Sequence, residues 1–222
     1  MKEYKYDAFI SYKHAEFDTA ICKQLHKHLE SYRIYKNGRQ HKIKRVFLDT
    51  EELSSAGNLS DSIIEALDNS RYLIVVCSKL TPKSPWVGQE IEYFIKTHGY
   101  QNVLALLIDG EPSESFPEQL RRVDIDGILR DIEPLAADIR AGTPGQSKKA
   151  LRNEILRLLA PILGMTYDEL RQRHHKRAVR RIIKTASLCA AVFLLFGAYA
   201  AWQWFLIDEA YQVIDDQEFR GR

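Results

Sequence analysis

Cysteine is scarce in this chain. Three are spread over 222 residues, Cys22, Cys77 and Cys189, an odd number at wide spacing. That excludes a disulfide framework and a cysteine-rich metal site, and it points to a reducing compartment. The amino terminus, Met1 to Asp7, carries no apolar signal core, so the amino-terminal region is expected to stay in the cytoplasm. No glycine-rich phosphate loop is present. An excess of one sign of charge is also lacking. The 32 Lys and Arg residues stand against 30 Asp and Glu, a net charge of +2, too small to imply a nucleic-acid partner. His14, His26, His28 and His98 share no metal-ligand spacing and read as surface residues, so no metal site is expected.

What is present is ordinary for a folded α/β protein, with 45% hydrophobic and 28% charged residues. Tyr6 to Tyr12 is a strand-like run, and residues 16–32 follow with helical spacing, Ile21, Leu25, Leu29 and Tyr32 facing in. Lys36 to Lys44 reads as a polar loop and Val46 to Asp49 as a second short strand. After a polar loop, Thr50 to Asn58, a helix is predicted over 59–69, with Ser62 and Glu65 suited to a capping box. Tyr72 to Cys77 and Val103 to Ile108 are apolar on both faces, as central parallel strands are. Asp109-Gly110 reads as a turn, Phe116 as the start of a short helix, and Gly127 to Leu129 as an edge strand. Lys148 to Leu163 is an amphipathic helix stopped by Gly164. Strand and helix alternate three times, which predicts a doubly wound parallel sheet.

Ser84 to Phe94 reads as a helix start. Ser84 is placed to cap the first free amides, and Pro85 suits the first helical position. Trp86 and Glu90, four apart, share one face, and Val87, Ile91, Phe94 and Ile95 form the opposite apolar stripe. An indole with a carboxylate one turn above it suits a flat, cationic, sugar-linked ring. The ordinary alternative is a Trp packed on the sheet with Glu90 in water. In doubly wound sheets ligands gather at the carboxyl ends of the strands. Ser11, Tyr12, Asp49, Ser78 and Asp109 sit at those ends, and the Trp86 helix begins just past the third. A phosphoacceptor built on Asp7 and Asp49 is not favoured, because Asp7 begins its strand rather than ending it. Cys77 reads as core.

Tyr6 to Tyr12 resembles the first box of Toll/interleukin-receptor (TIR) domains. Arg45 to Asp49 with the polar loop through Gly57 resembles the second box and its BB loop. The Trp86-x-x-x-Glu90 pair resembles the helix on which enzymatic members carry their glutamate. The likeness covers roughly residues 4 to 163, and the Phe-Trp third box of animal receptors is absent. The resemblance implies a flavodoxin-like fold and, in enzymatic members, cleavage of NAD+ to nicotinamide and ADP-ribose or a cyclic isomer. NAD+ is then a substrate, and no cofactor is implied. By the same resemblance Glu90 is catalytic, Tyr12 and Lys13 line the NAD site, Ser55 or Glu51 in the polar loop does likewise, and Trp86 packs beside the nicotinamide or ribose. It also implies self-association through TIR domains and a role in prokaryotic antiviral immunity. The alternative is a non-enzymatic TIR adaptor that recruits other TIR domains through the Thr50 to Asn58 loop. A third reading is an enzyme that makes a signalling nucleotide.

Residues 171–184 contain no acid, and Thr185 to Ile207 contains no charge. A run of about 23 residues makes roughly 35 Å of helix, enough to cross a bilayer. Tyr199, Trp202 and Trp204 cluster toward its far end, and Asp208 and Glu209 follow. This pattern predicts a single-pass segment with the amino-terminal side in the cytoplasm, at the inner membrane. The basic run marks topology and is also suited to anionic lipid. The expected organisation is a TIR domain over 1–165, a basic linker over 166–184, a transmembrane helix over 185–207, and 208–222 as a short tail or the start of a further region.

Overall fold

The strand Ser70–Cys77 (β5) is the axis of the fold. All but Arg71 of its residues are buried, because both of its faces are covered by helices. The computed structural model describes residues 3–36, 39–49, 59–125, 128–132, 134, 136–140, 144–172, 183, 185–187, 189–200 and 202–204. Beside β5 run Tyr6–Ser11 (β1) on one side and Val103–Leu107 (β6) on the other. Val46–Leu48 (β4) closes one edge of the sheet and Ala136–Asp138 (β9) the other. The order is β4-β1-β5-β6-β9, and every pairing is parallel. This is the flavodoxin-like order, whose switch point lies between β1 and the next strand in.

Strand parity divides the core in two. Ala8, Ile10, Tyr72, Ile74, Val76 and Leu106 face Glu16–Ser31 (α1) and Pro144–Ile162 (α6). Phe9, Leu73, Val75, Cys77, Ala105 and Leu107 face Asp61–Asp68 (α2) and Pro85–His98 (α3). Phe9 stacks on Phe47 of β4 at 5.1 Å between ring centres. Cys77 is core, as expected, with its thiol pushed up by burial. Gly164 ends α6 with φ of 62°, its amide bonded to the Pro161 carbonyl and that of Met165 to Ala160.

Several expectations differ from the structure. Lys36 to Lys44 is not a plain loop, because Arg33–Lys36 (β2) and Arg39–Lys42 (β3) form an antiparallel hairpin. Ile34 and Ile43 bury themselves in the α1 face of the core and hold it there. The capping box at Ser62 and Glu65 does not form. Ser60 is the N-cap of α2, without a side-chain capping bond, and its hydroxyl pairs with that of Ser62. The Ser84 hydroxyl does not cap α3 either, although Pro85 takes the predicted position. Ile128–Asp131 (β8) is not at the sheet edge. It pairs with Arg122–Ile125 (β7) in a separate hairpin, following the short helices Pro112–Ser115 (α4) and Glu118–Arg121 (α5). His26 and His98 are more engaged than surface residues. His26 bonds the Val46 carbonyl at 3.1 Å, and His98 stacks on Phe94 at 4.4 Å.

The chain forms two compact units, Met1–Leu170 and Arg171–Arg222. The first runs past residue 165, because Met165 and Leu170 are buried in its core. In the second, Thr185–Trp204 is a helix long and apolar enough to cross a membrane by length and composition, with none of it buried.

Gly110 follows β6 with φ of 77°, and a Cβ there would collide with the Ser115 hydroxyl and meet Lys79 Cγ at 2.6 Å. Gly164 also has positive φ but nothing within 4 Å. Gly110→Ala is therefore expected to cost about 2–3 kcal/mol and Gly164→Ala only about 1 kcal/mol. Thermal midpoints of the two variants, read by circular dichroism, check the order.

Candidate active site

Glu90 lies on the buried side of α3. Helical spacing sets Val87, Gly88, Glu90, Ile91 and Phe94 on the arc that faces the sheet, so the carboxylate is carried inward with the apolar anchors. Only 5% of Glu90 is exposed. The expectation that the apolar stripe opposes the Trp86–Glu90 face is corrected here, since Glu90 sits at the edge of that stripe. The ordinary alternative, Glu90 in water, fails with it.

The carboxylate meets one hydroxyl. Ser11 Oγ donates to Glu90 Oε2 at 2.5 Å, and Ser11 itself is 1% exposed. Strand parity explains the encounter: Ser11 shares the face of Phe9, and that face packs against α3. A hydroxyl donating to the carboxylate favours its ionised form. The burial acts the other way. Loss of water raises the Glu90 pKa to about 7, the Ser11 bond pulls it down, and the charge of Asp49 adds to the rise.

Around Glu90 opens a cleft of about 200 Å³, lined by Tyr12, Lys13, His14, Asp49, Ser84, Trp86 and Val87. Tyr12 follows Ser11 and so points to the opposite face of the sheet, toward α1. Its hydroxyl donates to the Asp49 carbonyl at 2.8 Å, which ties the end of β1 to the end of β4. Burial pushes the Tyr12 phenol up to about 12. The His14 ring packs against Tyr12 at 4.6 Å.

The loop that delivers α3 is fixed from below. Ser78, at the end of β5, donates through Oγ to Asp18 Oδ2 of α1 at 2.7 Å, and both are buried. The Ser78 amide donates to Thr81 Oγ1 at 2.8 Å, and Thr81 Oγ1 donates to the Val76 carbonyl at 3.1 Å. Burial raises the Asp18 pKa, opposed by the Ser78 hydroxyl. The turn from β5 into α3 thus has its polar groups satisfied inside the fold, which sets where Trp86 and Glu90 stand.

Of the residues singled out in the sequence, Glu90, Tyr12, Lys13 and Trp86 converge on this cleft. Ser55 and its alternative Glu51 lie outside the described residues. Sequence reasoning missed the role of Ser11 as the partner of the carboxyl, and it placed His14 on the open surface. It read Ser84 as a helix cap and Val87 as part of the apolar stripe, and gave neither a place in the cleft. Parity along β1 was the available signal for Ser11. Among the described residues, no group of three or more His, Cys, Asp and Glu side chains is placed to hold a metal ion.

A buried, raised carboxyl beside an indole, at the carboxyl end of a parallel sheet, is suited to stabilising positive charge developing on a bound ring. It needs no second acid if the leaving group departs neutral.

A family model described as TIR domain matches residues 8–137. A curated protein, the NAD(+) hydrolase ApTIR of Actinoplanes sp., is 29% identical over 214 residues, covering 90% of this chain and 29% of that protein. The chain therefore spans less than a third of the length of that relative. Among solved structures, the TIR domains of the activated Roq1 resistosome recognising the pathogen effector XopQ match at TM-score 0.39 and 24% identity, over 49% of this chain and 61% of that one. A metazoan TIR-STING receptor from C. gigas matches at TM-score 0.39 and 22% identity, over 55% of this chain and 37% of that one. The family match begins in β1, takes in the Trp86–Glu90 helix and ends in the edge strand β9, across more than half of the chain: this chain belongs to the TIR domain family.

Proposed function

We propose that the chain is a TIR-domain NAD+ glycohydrolase that cleaves NAD+ to nicotinamide and ADP-ribose or a cyclic isomer. The observation that carries the reading is the Glu90 carboxylate, buried and held by Ser11 in a cleft with Trp86, Tyr12 and Lys13. The name of the Actinoplanes relative supports the same activity.

The chemistry follows from the charges. The nicotinamide of NAD+ is already cationic. When the bond between its ring nitrogen and C1′ of the ribose breaks, the electron pair stays with the nitrogen and nicotinamide leaves neutral. The positive charge passes to the ribose. Glu90 in its ionised form, in a partly dry cleft, stabilises that charge and accepts hydrogen bonds from ribose hydroxyls. Water, or a nucleophilic atom of the same molecule in the cyclic case, then bonds to C1′ and loses its proton. Trp86 offers the ring a flat apolar wall, and Lys13 is a cation for a phosphate. At about 200 Å³ the cleft suits the nicotinamide-ribose half of the dinucleotide, with the remainder in the open mouth.

The same reading ties the domain to the cytoplasmic face of a membrane through Thr185–Trp204, and it has TIR domains self-associate to become active. A two-dimensional tether raises local concentration and so favours assembly. Antiviral defence by NAD+ depletion is the setting the family resemblance suggests. Burial against a serine does not by itself argue against the adaptor reading, since Asp18 and Ser78 make such a pair structurally; what the adaptor reading leaves without a purpose is a buried carboxylate that lines a cleft with Trp86, Tyr12 and Lys13.

Three measurements test this. With purified full chain and NAD+, Glu90→Gln is expected to lower the rate of nicotinamide release by at least about a hundredfold. Equal rates in both proteins end the enzymatic reading. For the wild type, kcat/KM is expected to rise with pH and level off above about 7, because the ionised carboxylate is the active form. The limb on kcat lies lower, since a bound cationic ring favours ionisation. Ser11 is a positioning residue. Ser11→Ala removes a bond to the ionised form and is expected to move the kcat/KM limb to higher pH, whereas Ser11→Thr keeps a hydroxyl and restores it.

The third concerns stability. A folded-state pKa raised above the unfolded value makes the fold most stable at acid pH. The stability is lost as pH rises from the ordinary glutamate range to about 7 and is flat beyond. Glu90→Gln removes that dependence. The variant should be the more stable protein at pH about 8, by up to roughly 3 kcal/mol, and lose the advantage by pH about 4. Denaturant midpoints at the two pH values read it.

A further inference from the structure

The β2–β3 hairpin is the most unevenly charged part of the first unit. From Ser31 to Leu48 there is no Asp or Glu, while Arg33, Lys36, Arg39, Lys42, Lys44 and Arg45 are all basic. The register sets like charges opposite each other where Arg33 faces Lys42. Such pairs destabilise an antiparallel ladder, and the hairpin persists because Ile34 and Ile43, each 1% exposed, anchor it in the core. With Ile34 turned inward, parity turns Arg33, Tyr35, Gln40 and Lys42 outward. Tyr35 is 60% exposed, and Lys42, Lys44 and Arg45 are exposed beyond it. The nearby acids are engaged with backbone. Glu30 accepts the Val46 amide, and Asp7 accepts the Lys44 amide. Arg33 itself turns onto the Glu30 and Tyr32 carbonyls at the end of α1.

We propose that the outward face of the β2–β3 hairpin docks on the anionic headgroups of a lipid bilayer. The inference rests on the reading of Thr185–Trp204 as a membrane anchor. Residues 171–184 are then the tether, and fully extended they reach at most roughly 50 Å. A unit of this size has a radius of gyration of about 15 Å, hence a diameter of about 40 Å. Every face of the first unit is therefore within reach of the surface, and the face with unbalanced positive charge is the one that an anionic surface selects. A basic residue near such a surface raises affinity about fivefold. Exposed Tyr35 has the amphipathic ring suited to the headgroup level.

The test uses the full chain in nanodiscs of phosphatidylcholine alone or with phosphatidylglycerol, read by amide hydrogen exchange. The expected result is slower exchange across 33–45, by about tenfold, only in the anionic discs. In about 1 M salt, where the screening length falls to about 3 Å, that difference disappears. Lys42→Glu/Lys44→Glu/Arg45→Glu abolishes it, and unchanged exchange in β1 and β5 confirms that the variant is folded. The milder Lys42→Gln/Lys44→Gln gives an intermediate effect. Equal exchange in both discs overturns the proposal. So does protection by a DNA oligonucleotide in neutral discs with none in anionic ones. A chain that does not enter discs at all refutes the anchor instead. The hairpin is then judged by flotation of wild type and charge-reversed chain on phosphatidylglycerol vesicles, where equal flotation refutes the docking surface too.

Discussion

The contact between Ser11 and Glu90 is the constraint around which the first unit is arranged. It joins a strand end to a helix interior, and it does so inside the layer that elsewhere holds Phe9, Val87, Ile91 and Phe94. A carboxylate oxygen in such a layer needs a donor at fixed distance, because the apolar side chains around it offer none. Ser11 cannot drift, since β1 is paired on both sides, with Phe9 opposite Phe47 and Leu73. Glu90 cannot turn away without withdrawing Ile91 and Phe94 from the core. The rigidity of the ordinary packing is therefore what holds an unusual group in place.

Neighbouring residues of β1 then supply different parts of one cleft. Ser11 faces α3 and Tyr12 faces α1, as alternate side chains on a strand do. They meet again only because the strand ends there. Past its last pairing the Tyr12 ring reaches Asp49 at the end of β4, and the chain turns so that Lys13 and His14 join the rim. Beneath, the Asp18–Ser78–Thr81 network fixes the start of α3. Two buried carboxyls, Asp18 and Glu90, thus each have a serine hydroxyl, but among the clefts lined by described residues it is Glu90 that takes part in one. That difference in access separates a structural acid from a candidate catalytic one.

Much of this is legible in the sequence, and the failures have physical causes. The parallel strands at 72–77 and 103–108 are continuous apolar runs, which few other structures tolerate. The Trp86–Glu90 spacing marks the helix, and the first two boxes together with that pair mark the family. What periodicity does not resolve is a residue at the border of an apolar arc. Glu90 lies one residue from Ile91 and three from Val87, so it is inside or outside according to how the helix rolls on the sheet. The β2–β3 hairpin was legible from Asn37-Gly38, the dipeptide most typical of a two-residue connection, between Ile34 and Ile43. The density of charge around it masks the signal. β9 is three residues long, and nothing local separates it from a loop; it exists because β6 presents an edge for it.

In the proposed NAD+ chemistry a raised carboxyl looks like the wrong choice for a group that has to be negative when it acts. The empty site and the filled site pull it in opposite directions. Without a ligand, burial and Asp49 oppose ionisation, and a pKa of about 7 leaves the group divided between its two forms near neutrality. The uncompensated charge is then present only part of the time, which limits what the empty fold must endure. A cationic ring entering the cleft favours the ionised form and expels the proton, so part of the binding energy goes into charging the carboxylate. In that reading the ring departs neutral and the positive charge moves onto the sugar, whose hydroxyls are set against the acid. Attraction to Glu90 is then stronger at the transition state than in the bound substrate, and that difference is what accelerates a reaction. A permanently ionised, solvated carboxylate would attract the same substrate with little such difference, because water would screen both states alike.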